Sequence, residues 1–164
     1  MTRPISLALV GATGTVGRTV LDVLDDLDVP VKKLRAFASA RSAGTTLAFR
    51  ADDVRVEALH EGAFRGCEVA IFCAGPEVAR EWAPRAVAEG CAVVDDSPAF
   101  RTDPDVPLVV PEVNPGALEG LGPRGIAVLR AAAHMAKWDA RPSPRRDPSG
   151  PIARGRGIAY VKYE

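Results

Sequence analysis

Three glycines at spacing three, Gly11, Gly14 and Gly17, interrupt the apolar run ISLALV and hand it over to TVGRTVLDVL. A residue without a side chain permits a tight turn and lets a phosphate come close to the main chain, and the unsatisfied amides of a helix's first turn point at an anion held there. Such a turn serves to hold the linked phosphates of a nucleotide, and Gly17 also permits close packing of helix on sheet. The spacing G-x-x-G-x-x-G differs from the usual G-x-G-x-x-G, so its meaning comes from the strand before it and the helix and strand after it. The alternative is a glycine-rich structural turn in another α/β protein.

Farther on, FASARSAG gathers Ser39, Arg41 and Ser42, with no acid until Asp52. A carboxylate there would accept hydrogen bonds from a ribose 2′-hydroxyl, whereas a guanidinium flanked by hydroxyls suits a 2′-phosphate. The expected cofactor is therefore NADP rather than NAD. Cys73, Ala74 and Gly75, then Asp95, Asp96 and Ser97, close two more apolar runs. At the carboxyl ends of parallel strands, Gly75 would let the nicotinamide side approach the main chain, and Ser97 could donate to a phosphate or amide.

The elements that must position these residues follow from periodicity. Residues 5–10 read as a strand buried on both faces. Val16, Val20, Val23, Leu24 and Leu27 recur at helical spacing, leaving Arg18, Asp22 and Asp25 to solvent. KKLRAFAS after Pro30 is a second strand, 41–53 a polar loop, and 54–59 a short strand. CEVAIFCAG is a strand followed by a helix with Val78, Trp82, Ala83, Ala86 and Val87 on one face and Pro84 as a local defect. CAVVDDS and DVPLVVPEVN are further strands, Pro107 marking an edge for the latter. Strands alternating with helices predict an α/β fold: a Rossmann-like, mostly parallel sheet with flanking helices and a short irregular C-terminal appendage.

A chain of 164 residues with 47% hydrophobic side chains suits one ordinary core. A dinucleotide-binding domain is placed at 1–127; residues 128–164 follow as a divergent helix, from IAVLRAAAHMAKW, a basic Pro/Gly/Arg-rich linker and a terminal strand, IAYVKYE. Charge changes at this boundary, from 13 basic and 18 acidic side chains over 1–129 to 8 and 2 over 130–162. Five arginines between Arg141 and Arg156 could meet phosphates, but Trp138 and Tyr160 lie too far apart for a stacking platform, so nucleic acid is not an expected partner. No run approaches the roughly 18 apolar residues of a membrane span, and MTRPIS carries no signal-like region, so the expected location is the cytoplasm. Cys67, Cys73 and Cys91 lack metal-knuckle spacing and read as structural thiols; no metal site is expected.

The blocks GATGTVG, ASARSAG, FCAGPEVAREWAPRAVAEGCAVVDDSPAFR and DPDVPLVVPEVNP resemble the N-terminal part of the aspartate-semialdehyde dehydrogenases over about residues 4–127. The resemblance implies that Thr13, Gly14, Thr15 and Val16 contact the cofactor pyrophosphate, that Ser39, Arg41 and Ser42 meet the 2′-phosphate, that Gly75 lies near the nicotinamide, and that Arg101 receives a substrate or inorganic phosphate. Where the family reads Asn-Ser-Ser before Ala-Phe-Arg, this chain has Asp96, Ser97 and Pro98. The family's reaction needs a cysteine nucleophile from an Asn-Cys segment after PEVNP and a histidine acid and base; after GPRGIA this chain continues VLRAAAHMAKW, with neither segment, and His134 matches no family position. The stretch from Ala127 to Glu164 resembles a fragment of the large molybdenum-binding subunit of xanthine dehydrogenase-like hydroxylases, as a fusion would produce, and no catalytic residue carries over from it.

Three functions are consistent with these residues. One is an NADP-binding module cut before the catalytic machinery, with no catalytic residue of its own. Another is an active oxidoreductase interconverting aspartate semialdehyde and aspartyl phosphate in amino-acid biosynthesis. The third is a non-enzymatic interaction remnant. Loss of a catalytic half would expose sheet edges, so self-association, or a separate partner carrying that half, is expected.

Overall fold

The run ISLALV forms β1 (Ile5–Val10), in which Leu7 to Val10 are buried. β1 pairs in parallel with β2 (Val31–Ala38) on one side and β5 (Val69–Phe72) on the other. A strand covered on both edges and both faces is apolar throughout, which is why the run does not alternate. Its side chains nevertheless divide by parity. Leu9 joins Ala36, Val56 and Phe49 beneath Leu21 of α1 (Thr15–Asp26), while Ala8 and Val10 join Phe37, Phe64 and Phe72 beneath Ala79, Ala83 and Ala86 of α2 (Pro76–Ala88). The two helices therefore cover opposite faces of the sheet.

This computed structural model describes residues 3–110, 113–119 and 125–129. The remaining elements are β3 (Thr46–Phe49), β4 (Asp52–Ala58), β6 (Ala92–Asp95), β7 (Leu108–Val109), a 3₁₀ turn at Pro115–Leu118, and β8 (Ile126–Leu129). The eight strands run in the order β3-β4-β2-β1-β5-β6-β8-β7, all neighbours parallel except β3 against β4. The fold is Rossmann-like, and the strand order reverses direction at β1, where such sheets open a crevice beyond their carboxyl ends. β7, which follows Pro107, lies at an edge. α2 continues through Pro84, its small buried alanines on either side of the ring holding it to the sheet.

Three expectations are corrected. The polar stretch 41–53 contains β3, an edge strand covered on one face only: Leu47 and Phe49 pack inward, and a two-residue turn with Arg50 at φ 57 joins it to β4. On α1 the buried line is Gly17 and Leu21, with Val20 and Leu24 packed beside it; Val16, Val23 and Leu27 remain 43%, 36% and 60% exposed. The helix turns this way because Gly17, lacking a side chain, is where it touches the strand-end turn. Residues 126–129, expected to begin a helix, are the strand β8, which fills the slot between β6 and β7. The expected linker and terminal strand lie outside the described residues.

Candidate functional site

Every residue group singled out for binding follows the carboxyl end of a parallel strand: Gly11 to Val16 after β1, Ser39 to Ser42 after β2, Gly75 after β5, and Ser97 after β6. Because these strands are neighbours in the sheet, their ends share one rim. The rim is therefore assembled from segments far apart in the chain.

The β1–α1 turn is fixed by protein contacts on its inner side. The amides of Gly11 and Ala12 both donate to the Phe37 carbonyl of β2, at 2.8 and 3.0 Å, and the Gly14 amide donates to the Gly11 carbonyl at 3.0 Å. Gly11 takes φ +87, and a methyl group on it would lie 2.6 Å from the Cys73 carbonyl oxygen. Only glycine meets both demands. A methyl group on Gly17 would lie 2.2 Å from the Gly11 carbonyl oxygen, so this glycine sets the height of α1 above β1.

The outer side of the turn is open. Gly14, the N-cap of α1, supplies no side-chain cap, and Gly14, Thr15 and Val16 are exposed. Among the described residues no protein acceptor takes the amides of Thr15 and Val16, whereas the Arg18 amide already bonds to the Gly14 carbonyl. Two donors at the positive end of a helix thus face outward, the arrangement that binds an anion.

Beyond β2, the amides of Ser42 and Ala43 donate to the Ser39 carbonyl at 2.9 and 3.0 Å, closing a turn that carries Arg41 at its exposed crest. Among the described residues Arg41 makes no hydrogen bond or ion pair. At Gly75 (φ −65) a methyl group would meet nothing within 4 Å. No packing contact or positive φ requires glycine here, and the space beside it is open.

The β6 end is organised differently from expectation. Asp95 is fully buried; its two oxygens accept the Ser97 amide at 3.0 Å and the Ser97 hydroxyl at 2.7 Å, and the Ser97 oxygen accepts the Ala99 amide at 3.1 Å. The single hydroxyl proton of Ser97 is therefore committed to Asp95, and with 5% exposure Ser97 shapes the turn rather than donating outward. Arg101 is exposed and donates from Nη2 to the Asp96 carbonyl at 2.9 Å. Burial raises the Asp96 carboxyl, with Arg101 opposing and Asp95 adding to the rise.

Cys73 stands beside this turn, and burial, then the charges of Asp96 and Asp95, push its thiol up to about 12. A thiol held protonated in an acidic corner is a poor nucleophile. Cys91, also pushed up to about 12, points its Sγ at the Cys67 and Phe64 carbonyls inside the core. The feature that sequence reading missed is the Phe37 carbonyl that pins the glycine turn, a main-chain group that leaves no signal in residue type.

Comparison with known proteins identifies the family and the fold. The family described as "Semialdehyde dehydrogenase, NAD binding domain" matches residues 6–121. The aspartate-semialdehyde dehydrogenase of Aquifex aeolicus is 48% identical over 121 residues, which are 73% of this chain and 36% of that protein. Among solved structures, aspartate semialdehyde dehydrogenase II of Vibrio cholerae complexed with ASA superposes with TM-score 0.74 at 41% identity, over 78% of this chain and 42% of that one. The Candida albicans enzyme with NADP gives TM-score 0.66 at 28% identity, over 77% of this chain and 42% of that one.

Proposed function

This chain belongs to the semialdehyde dehydrogenase family through its NAD-binding domain, and we propose on that basis that it binds NADP as the coenzyme half of an aspartate-semialdehyde dehydrogenase without completing the reaction by itself. The observation that carries the choice of NADP is the exposed, unpartnered Arg41 at the end of β2, close in sequence to Ser39 and Ser42 and with no acid in that turn. The residues present fit the group. The amides of Thr15 and Val16 receive the diphosphate, and Gly11 and Gly17, where a side chain would strike main chain, hold the turn in the shape that presents them. Arg41, Ser39 and Ser42 receive the 2′-phosphate, and Gly75 leaves room at the nicotinamide end. NADP, when bound, supplies the hydride acceptor or donor.

The chain's own residues stop short of the chemistry. Its one crevice-side thiol, Cys73, is held protonated, and the segments that would supply nucleophile and acid-base histidine are not in its sequence. Arg101, engaged with the Asp96 carbonyl, is available on the rim for a phosphate that a catalytic partner would help to hold. Leu108, Val113 and Leu118, 37%, 78% and 44% exposed at the β7 end, are where self-association or such a partner would cover the sheet.

Titration of NADPH and NADH by nucleotide fluorescence tests the binding half. The wild type should prefer NADPH by at least about tenfold, and Arg41→Ala should remove that preference while leaving NADH binding unchanged. Reduction of NADP by the isolated chain in the presence of aspartate semialdehyde and phosphate would overturn the other half.

A further inference from the structure

We infer that Arg18 is a further cofactor-binding residue, its guanidinium contacting the dinucleotide diphosphate beside the amides of Thr15 and Val16. The inference rests on the reading of that turn as a diphosphate cradle. Arg18 follows Gly17 directly and is exposed. Asp22 lies one turn farther along α1, at the spacing where helix-surface ion pairs form. Among the described residues, however, Arg18 makes no ion pair, and its Nε donates backwards to the Thr13 carbonyl oxygen at 3.3 Å. Thr13 belongs to the turn itself. The bond draws the guanidinium back toward the turn through one nitrogen, and among the described residues its terminal amino groups have no partner, a planar fork suited to phosphate oxygens.

This placement is unfavourable in the absence of an anion. α1 has no acid in its first turn and no capping side chain. A cation folded back toward the positive pole of the helix, rather than forward to Asp22, sets like charge beside like. A diphosphate reverses the balance, because its negative charges then face helix pole, amides and guanidinium together. The diphosphate is common to NADP and NAD, so Arg18 acts on both, whereas Arg41 acts on the 2′-phosphate alone.

The test is titration of the full chain and its Arg18→Gln and Arg18→Lys variants with NADPH and NADH, with a melting curve of each protein without nucleotide. Arg18→Gln should weaken both nucleotides about tenfold and leave their ratio unchanged, while Arg18→Lys recovers part of the loss. The nucleotide-free melting temperature should not fall, since an adverse charge has been removed. Unaltered affinities in Arg18→Gln overturn the inference, and so does a loss confined to NADPH, which would put Arg18 at the 2′-phosphate. Failure of the wild type to bind either nucleotide overturns the cradle reading itself, and is seen before any variant is compared.

Discussion

Gly17→Ala is the most direct perturbation of the way this fold holds its cradle. The added methyl would lie 2.2 Å from the Gly11 carbonyl oxygen and 2.9 Å from the Ala12 Cα, where ordinary contacts begin at 3.4 Å. Both obstacles are main chain, so relief requires α1 to rise from β1 by about 1 Å, which a close-packed interior resists. Overpacking of this kind costs about 3 kcal/mol at its upper end. The gain from replacing glycine by alanine within a helix offsets about 1 kcal/mol. The net loss of about 2 kcal/mol corresponds to a melting temperature lower by roughly 6–10 °C for a domain of this size. The same rise carries the amides of Thr15 and Val16 away from the position set by the Phe37 carbonyl, so NADPH affinity should fall by more than the stability loss alone explains. Thermal denaturation followed by circular dichroism gives the first quantity and fluorescence titration at a temperature where the variant is folded gives the second. Gly75→Ala is the control, since a methyl there meets nothing within 4 Å. It should melt within about 2 °C of wild type, a cap effect and an unfolded-state entropy effect of opposite sign nearly cancelling. If Gly17→Ala melts and binds as the wild type does, the packing argument and the role given to this glycine are wrong together.

Other expectations concern groups away from the cradle. Glu89, whose carboxylate accepts the Gly62 and Phe64 amides at 3.0 and 2.9 Å, should cost about 2 kcal/mol as Glu89→Gln, read from urea denaturation, because the new amide nitrogen faces a donor. Asp95→Ala should be costlier, about 3 kcal/mol, since it leaves the Ser97 amide and hydroxyl without their acceptor inside the protein, whereas Asp95→Asn, which can accept the amide and donate to the hydroxyl oxygen, should cost less; an Asp95→Ala variant as stable as wild type would remove Asp95 as the organiser of that turn. Cys73 and Cys91 titrate near 12 when folded, above an ordinary value of 9.0. Raised thiol values mean that the folded state holds these protons more tightly. Their stabilising contribution is whole below pH 9 and is lost as pH rises toward 12, a decline that denaturation curves across this range measure. At pH 8 the folded chain should accordingly alkylate Cys73 about a thousandfold more slowly than the unfolded chain does, as followed by mass spectrometry.

The central strand, the handover at Gly11 to Gly17 and the sequence of alternating strands and helices were legible because they depend on local spacing and on burial from both sides. Phe37 and Phe72 look alike in sequence to Leu9 and Val56, and nothing local says which pair faces which helix. β3 was hidden for a related reason: its four residues TLAF are too short a run to show a period inside a polar stretch, and only pairing with β4 makes them a strand. Ile126 to Leu129 sit in a run with helical composition, but the gap between β6 and β7 imposed extended backbone on them, since buried edges need hydrogen-bonded neighbours.

At the site, residue types alone marked the glycine turn between β1 and α1 and the basic character of the loop after β2. Tertiary structure decided which groups remain available. It spent the Ser97 proton on Asp95, tied Arg101 to a main-chain oxygen, protonated Cys73 by burial beside two acids, and set the Nε of the exposed Arg18 on the Thr13 carbonyl. The physical reason is that a polar group's role depends on its nearest partner, which the folded turn supplies for Ser97, Arg101 and Arg18, and on desolvation, which for Cys73 comes with acids from a strand remote in the chain.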